Sequence, residues 1–418
     1  MRRFFNCLFF NDYELSFSIT VLGKIIAFLT ALSVCVLVSG FLYMIPGKHY
    51  LYYFSCALSL LYIFYKGGSG IRLNKQMFFL YVIIFLNVLV LPILPLFRSQ
   101  ERAAYFFFIT MVCSPVIESQ AAFAYRERLF KYILIGFSIL TVLSFFCFFL
   151  GINMMPFNRE GSMELYEDYM NVGGKFSGLF NHSMILGPIA ALTALVHFNL
   201  YLKYNKAYRL ILFFICSMSC LFSASRAALF GLALGISLLF YKLLVNRHSY
   251  LNINKVIYIF IIFILILIPI ADVAFSGLKN KMEITKEQFG SFNSREAKFK
   301  SRLHEFSESP LWGVGFASID INTGDVYNKI SGQIEPGSSH LAVLAQTGLI
   351  GITAYIVLLY GALKRVKKQP FVKANIAYSS FWMFFGHGWG EGWIFAPGGM
   401  VCFMFWLTLS QCYDFDLK

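Results

Sequence analysis

Apolar runs of about twenty residues alternate along this chain with short, mostly basic breaks. Runs of that length, coiled as α-helix, match the thickness of a lipid hydrocarbon core. Twelve are predicted, near 19–44, 49–65, 76–97, 103–123, 130–150, 181–202, 207–223, 227–246, 256–274, 339–363, 373–389 and 391–411. Two longer connections interrupt the alternation, at 151–180 and 275–338. They divide the chain into helices one to nine over 1–274, a large loop over 275–338, and helices ten to twelve over 339–418. The predicted fold class is all-α integral membrane, with about twelve transmembrane helices and a large, partly helical outer loop.

Composition supports this reading. The 418 residues are 58% hydrophobic and 13% charged, whereas soluble domains carry roughly a quarter charged residues. Net charge is +14, which in a soluble protein would suggest nucleic acid. Here the basic residues of the short loops sit mostly on one side, at Lys66, Arg72 and Lys75; Arg126, Arg128 and Lys131; Lys203, Lys206 and Arg209; Lys242, Arg247 and Lys255; Lys364, Arg365, Lys367, Lys368 and Lys373, while the short loops of the other side hold only Lys48, Arg98, Arg102 and Arg226. That is the positive-inside pattern, so both termini are expected in the cytoplasm and no nucleic-acid partner is expected. Arg2 and Arg3 precede an apolar stretch without a small-residue cleavage site, so the first span is expected to be a retained anchor. The nine cysteines lie mostly inside apolar segments, which predicts packing rather than a disulfide framework or a metal site.

The loop 275–338 carries eight basic and eight acidic residues, so any selectivity for anions must come from local placement. Asn293 followed by Glu296 has the form of a capping box. The helix it opens is predicted to run to about Glu308, before Pro310, with Arg295, Phe299, Arg302 and Phe306 on one face. Such a face suits a membrane surface or an anionic partner.

Three elements occur in order: Ser225-Arg226-Ala227-Ala228-Leu229; Glu308-Ser309-Pro310-Leu311-Trp312-Gly313-Val314-Gly315-Phe316 after the Arg295 helix; and Gly337 to Gly351, which opens the tenth span. Together they resemble the O-antigen polymerase and ligase family (Wzy-type polymerases and their ligase relatives), most specifically over 170–365. The resemblance implies a membrane glycosyltransferase architecture of the GT-C-like type, with a metal-independent, inverting enzyme and no cofactor. Its substrate would be an undecaprenyl diphosphate-linked oligosaccharide, with membrane lipids and a chain-length regulator as further partners. Its place would be the bacterial inner membrane, with the active site on the outer face. The expected product is O-antigen, capsule or exopolysaccharide. In ligases a His stands eleven residues before the first Gly of a Gly-x-x-Gly pair; here Gly337 holds that position and the His is at 340, a departure that favours polymerase over ligase. A transporter of lipid-linked sugars is the alternative of another class, set back by the absence of repeating halves and by the size of the outer loop.

A lipid diphosphate leaving group calls for guanidinium groups, which bind phosphate bidentately and stay charged. Arg226, at the outer start of the eighth span, and Arg295 are the leading diphosphate ligands, with Arg302 on the same helix face. The attacking hydroxyl needs a general base, for which His340 and Glu335 are candidates. Glu391, in an apolar stretch near His387, is expected to pair with an Arg or to bind sugar hydroxyls. His182, in Gly178-Leu179-Phe180-Asn181-His182, is expected to line the cavity. Trp312, Trp389 and Trp393 are candidates for stacking on sugars. The pair Gly313 and Gly315 is expected to permit a tight turn, and the pair Gly348 and Gly351 close helix packing.

Overall fold

The computed structural model describes residue 13, residues 15–42, 45–89, 99–154, 176–245, 295–318, 337–369 and 371–413, a few positions within 261–286, and the backbone of 327–328 and 333–334. Its helices are α1 (Val21–Val38), α2 (Lys48–Gly67), α3 (Lys75–Leu89), α4 (Ser99–Cys113), α5 (Gln120–Phe149), α6 (Ser183–Tyr204), α7 (Ala207–Phe222), α8 (Arg226–Val245), α9 (Glu296–Glu308), α10 (Ser339–Lys367), α11 (Val372–Gly390) and α12 (Met400–Tyr413). Two small antiparallel pairings join them: β1 (Arg72–Leu73) with β2 (Ile117–Glu118), and β3 (Tyr327–Asn328) with β4 (Gln333–Ile334).

All the predicted spans but the ninth coincide with a helix; 256–274 lies almost wholly outside the described residues. Among the described residues five helices, α1, α5, α6, α8 and α10, are long and apolar enough to cross a membrane, and α3, α7 and α12 are shorter apolar helices. Two predicted boundaries are corrected. The segment 103–123 is not one helix: α4 ends at Cys113, β2 follows, and Ser119 caps α5 by accepting from Ala122 N at 3.1 Å. The last span begins at Met400 rather than 391, because Pro397-Gly398-Gly399 stands in non-helical backbone before it.

Consecutive helices pair as short connections dictate, α1 on α2 and α6 on α7. Long-range packing sets α8 and α6 against α11, and α10 against α3, α9, α11 and α12. Inside an apolar bundle there is no water to drive helices together, so small and hydroxyl-bearing residues hold them. Between α1, α2 and α5, Thr30 Oγ1 bonds Ser59 Oγ at 2.9 Å, and Ser59 Oγ bonds the Tyr125 hydroxyl at 2.5 Å. Between α8 and α11, a Cβ on Gly235 would stand 2.8 Å from the Ser379 carbonyl oxygen, so only glycine allows that approach.

The helix ends sort into two groups. One holds the β1–β2 pairing, the contact of Glu127 with Lys373, and Arg126 Nη1 bound to the Ser114 carbonyl at 2.9 Å. The other holds the Ser39–Phe180 bridge, the caps of α6 and α10, and the end of α11. These are the ends that the charge pattern assigns to the inner and outer sides respectively.

Candidate active site

At the second group of ends the loop helix α9 is tied into the bundle. It ends at Glu308 as the Pro310 position predicts. Its start differs from expectation: Arg295 is the N-cap residue, and Asn293 lies outside the described residues. The expected face packs against α10, with Phe299 and Phe306 half-buried and Arg302 buried.

The segment after α9 is held by a break in α10. Gly348 has φ 62° and ψ −164°, a conformation open to glycine and scarcely to other residues. The break frees backbone groups in the middle of a span, and each needs a partner. Val314 N donates to the Ala345 carbonyl at 2.9 Å and Gly315 N to that of Gln346 at 3.1 Å. In return Leu349 N donates to the Pro310 carbonyl at 2.8 Å and Ile350 N to that of Leu311 at 3.3 Å. A Cβ on Gly313 would stand 2.5 Å from Gln346 O, and one on Gly348 would stand 2.6 Å from Trp312 N. The two glycine motifs are therefore halves of one latch, backbone against backbone. For Gly348 this corrects the expectation of a helix–helix packing role.

The latch brings the candidate residues to one place. Arg295 Nη2 meets Glu391 Oε1 at 2.6 Å, with side chains 19% and 14% exposed. The Glu391 carbonyl accepts from Ser339 N at 3.0 Å and from Ser339 Oγ at 2.7 Å. Ser339 Oγ in turn accepts from Trp393 N at 2.9 Å and Ile394 N at 3.3 Å. One hydroxyl at the start of α10 thus fixes both sides of the turn that carries Glu391. Arg226 begins α8 beside this turn, where a Cβ on Gly390 would stand 2.8 Å from Ala227 Cβ. The N-termini of α8, α9 and α10 all lie here, adding positive potential to that of the two arginines.

His340, next to Ser339, is buried. Its Nε2–H donates to the Phe385 carbonyl at 2.9 Å, which leaves the lone pair of the neutral ring on Nδ1. The ring lies among Phe385, Trp389 and Tyr355, at 4.6, 5.0 and 6.1 Å between centroids. His387, one turn before Glu391, is buried and accepts from Trp393 Nε1–H at 2.7 Å on its Nδ1.

Two candidates stand elsewhere. Arg302 forms a fully buried pair with Glu305 at 2.7 Å, closed to a ligand in this conformation. Burial pushes its guanidinium pKa down from the ordinary value, against the opposing pull of the Glu305 carboxylate. This corrects its expected role as an accessible phosphate ligand. His182 caps α6, its Nδ1 accepting from Met184 N at 3.0 Å, which gives that residue a structural task. Glu335 lies outside the described residues. Ser339 was not singled out from the sequence, since a serine at a helix start signals a cap and nothing more. The role of Trp393 was open among three tryptophans, and its bond to His387 now distinguishes it.

Residues 211–356 match the family model described as O-antigen ligase. The matched segment holds Arg226, Arg295, His340 and both halves of the latch; Glu391 and Trp393 lie beyond it. No curated protein matches the chain. The three elements singled out in the sequence all lie inside the matched segment, so over residues 211–356 the chain is similar to the O-antigen ligase family, as the resemblance led one to expect.

Proposed function

We propose that the chain is an inverting glycosyltransferase that joins undecaprenyl diphosphate-linked oligosaccharide repeats on the outer face of the cytoplasmic membrane. The observation that carries this reading is the Arg295–Glu391 pair, held beside Arg226 and His340 in a latch of glycine backbone. Guanidinium groups in a half-buried setting suit a diphosphate, whose charge grows as it departs. A hydroxyl oxygen of the acceptor sugar attacks the anomeric carbon of the donor. The bond from that carbon to the diphosphate oxygen breaks, and lipid diphosphate leaves toward Arg226 and Arg295. The hydroxyl proton passes to a base, for which His340 offers the lone pair of Nδ1. Direct displacement inverts the anomeric centre. No metal enters this scheme.

A ligase reading, with lipid A-core as the acceptor, is favoured by the description of the matching family. It uses the same donor site. The displacement of His340 from the ligase position supports the polymerase.

The test uses the detergent-purified chain with an authentic lipid-linked repeat unit, with and without lipid A-core, beside Arg226→Ala. A product ladder without lipid A-core, lost in the variant, is expected. Product only with lipid A-core would replace polymerase by ligase. No product from folded protein would overturn both.

A further inference from the structure

The turn that carries Glu391 has a second face. Residues Gly392 to Gly399 leave the helical path between α11 and α12 and are held there. Trp406 Nε1 donates to the Ile394 carbonyl at 3.2 Å, as does Cys402 Sγ at the same distance. Ala396 N donates to Trp393 O at 2.9 Å and Gly399 N to Ala396 O at 2.8 Å. Between this segment and α2, α4 and α10 lies a cavity of about 350 Å³. That volume is at the lower end of the range for ligand clefts. Ser339, whose hydroxyl fixes Glu391, forms part of its wall, so the cavity adjoins the arginine site without containing Arg226 or Arg295.

Its lining is apolar over most of its area, with a guanidinium and an amide set among aromatic rings. Tyr53 and Tyr105 lie there with rings stacked, centroids 5.3 Å apart and planes 20° from parallel. Arg102 is one helical turn before Tyr105 on the same face of α4. Gln346 adds an amide from α10, and Trp393 an aromatic wall. Flat aromatic faces beside hydrogen-bonding side chains suit a sugar ring, whose C–H face is apolar and whose rim is polar. The guanidinium suits a carboxylate.

We propose that this cavity is a saccharide subsite for an acidic sugar, the carboxylate of a uronic acid or acid-substituted residue resting on Arg102 and the ring against Tyr105 and Tyr53. This rests on the transferase reading, and it makes the cavity the place where the second substrate's sugar is held while the arginine site holds the diphosphate. Reading the segment 391–399 as a shared wall explains why Ser339 ties both of its sides.

The test is binding without turnover, which separates it from the transfer assay. Trigalacturonate, maltotriose and inorganic phosphate are titrated into the full detergent-purified chain by saturation-transfer NMR, with Arg102→Ala, Arg102→Lys and Tyr105→Ala beside it. Saturable trigalacturonate binding is expected, with Kd at least tenfold higher in Arg102→Ala and in Tyr105→Ala, partial recovery in Arg102→Lys, and weaker maltotriose binding. Tyr105 is 46% exposed, so its loss leaves the fold intact and keeps the test valid if Arg102→Ala misfolds. Equal binding of maltotriose, no effect of Tyr105→Ala, no binding at all, or displacement by phosphate alone would each overturn the proposal. A ladder lost in Arg226→Ala together with absent trigalacturonate binding would leave the transferase reading standing and remove only the subsite.

Discussion

Gly348→Ala tests the latch on which the site depends. The perturbation is one methyl group at φ 62° and ψ −164°, where alanine is strained by about 1–3 kcal/mol. The new Cβ also meets the Leu311 carbonyl and stands 2.6 Å from Trp312 N, so the loop must withdraw. Withdrawal breaks the bonds from Val314, Gly315, Leu349 and Ile350, each worth about 0.5–1.5 kcal/mol net. Even the lower bounds place the loss near 3 kcal/mol, roughly a hundredfold in the local opening equilibrium. Hydrogen–deuterium exchange in detergent reads this directly: the amides of these four residues are expected to exchange about a hundredfold faster. Transfer activity is expected to fall with them, because Arg295 lies on one side of the latch and His340 on the other. Gly70→Ala is the control, since a Cβ there meets nothing within 4 Å. Unchanged protection at all four amides in Gly348→Ala would refute the reasoning.

Three further outcomes follow from other contacts. In a double-mutant cycle on transfer activity, Arg295→Ala and Glu391→Ala are expected to be coupled by about 1–3 kcal/mol, and additive losses would mean the pair in this structure is not made during turnover. Arg302→Ala is expected to destabilise the loop by about 3–5 kcal/mol by leaving Glu305 buried and unpaired, whereas Arg302→Met with Glu305→Leu is expected to restore or exceed the original thermal midpoint; a double variant as weak as the single one would contradict this. His340→Asn retains a donor for the Phe385 carbonyl but removes the base, so activity is expected to fall about 10²–10⁴-fold with an unchanged melting curve, and full activity would dismiss His340 as the base.

Much of the fold was legible because lipid imposes a strong length rule. Apolar runs such as those over α1, α5 and α8 mark themselves, and basic loops sort their ends. The errors fell where backbone leaves the helix inside an apolar stretch. The turn after Cys113 carries Ser114, Pro115, Glu118 and Ser119, and the segment before Met400 carries Glu391 and Pro397-Gly398-Gly399; a span-length hydropathy window averages such short breaks into the apolar residues around them.

For the site, residue type and order along the chain singled out Arg226, Arg295, His340 and Glu391 as candidates, because an ionisable group at the mouth of an apolar bundle is costly unless it is used or paired. Which of them meet was decided only by tertiary structure. Arg295 and Arg302 share one helix face and one chemistry, yet one reaches Glu391 and the other turns to Glu305. That choice depends on where α9 is docked, which is set by the break at Gly348 and the backbone bonds across it. The sequence by itself determined where the apolar helices lie and the stock of charged groups, both of which follow from local composition. The pairing of Arg295 with Glu391, the burial of Arg302 and the cavity beside Ser339 come from contacts between residues far apart in the chain, and only the packed bundle fixes those.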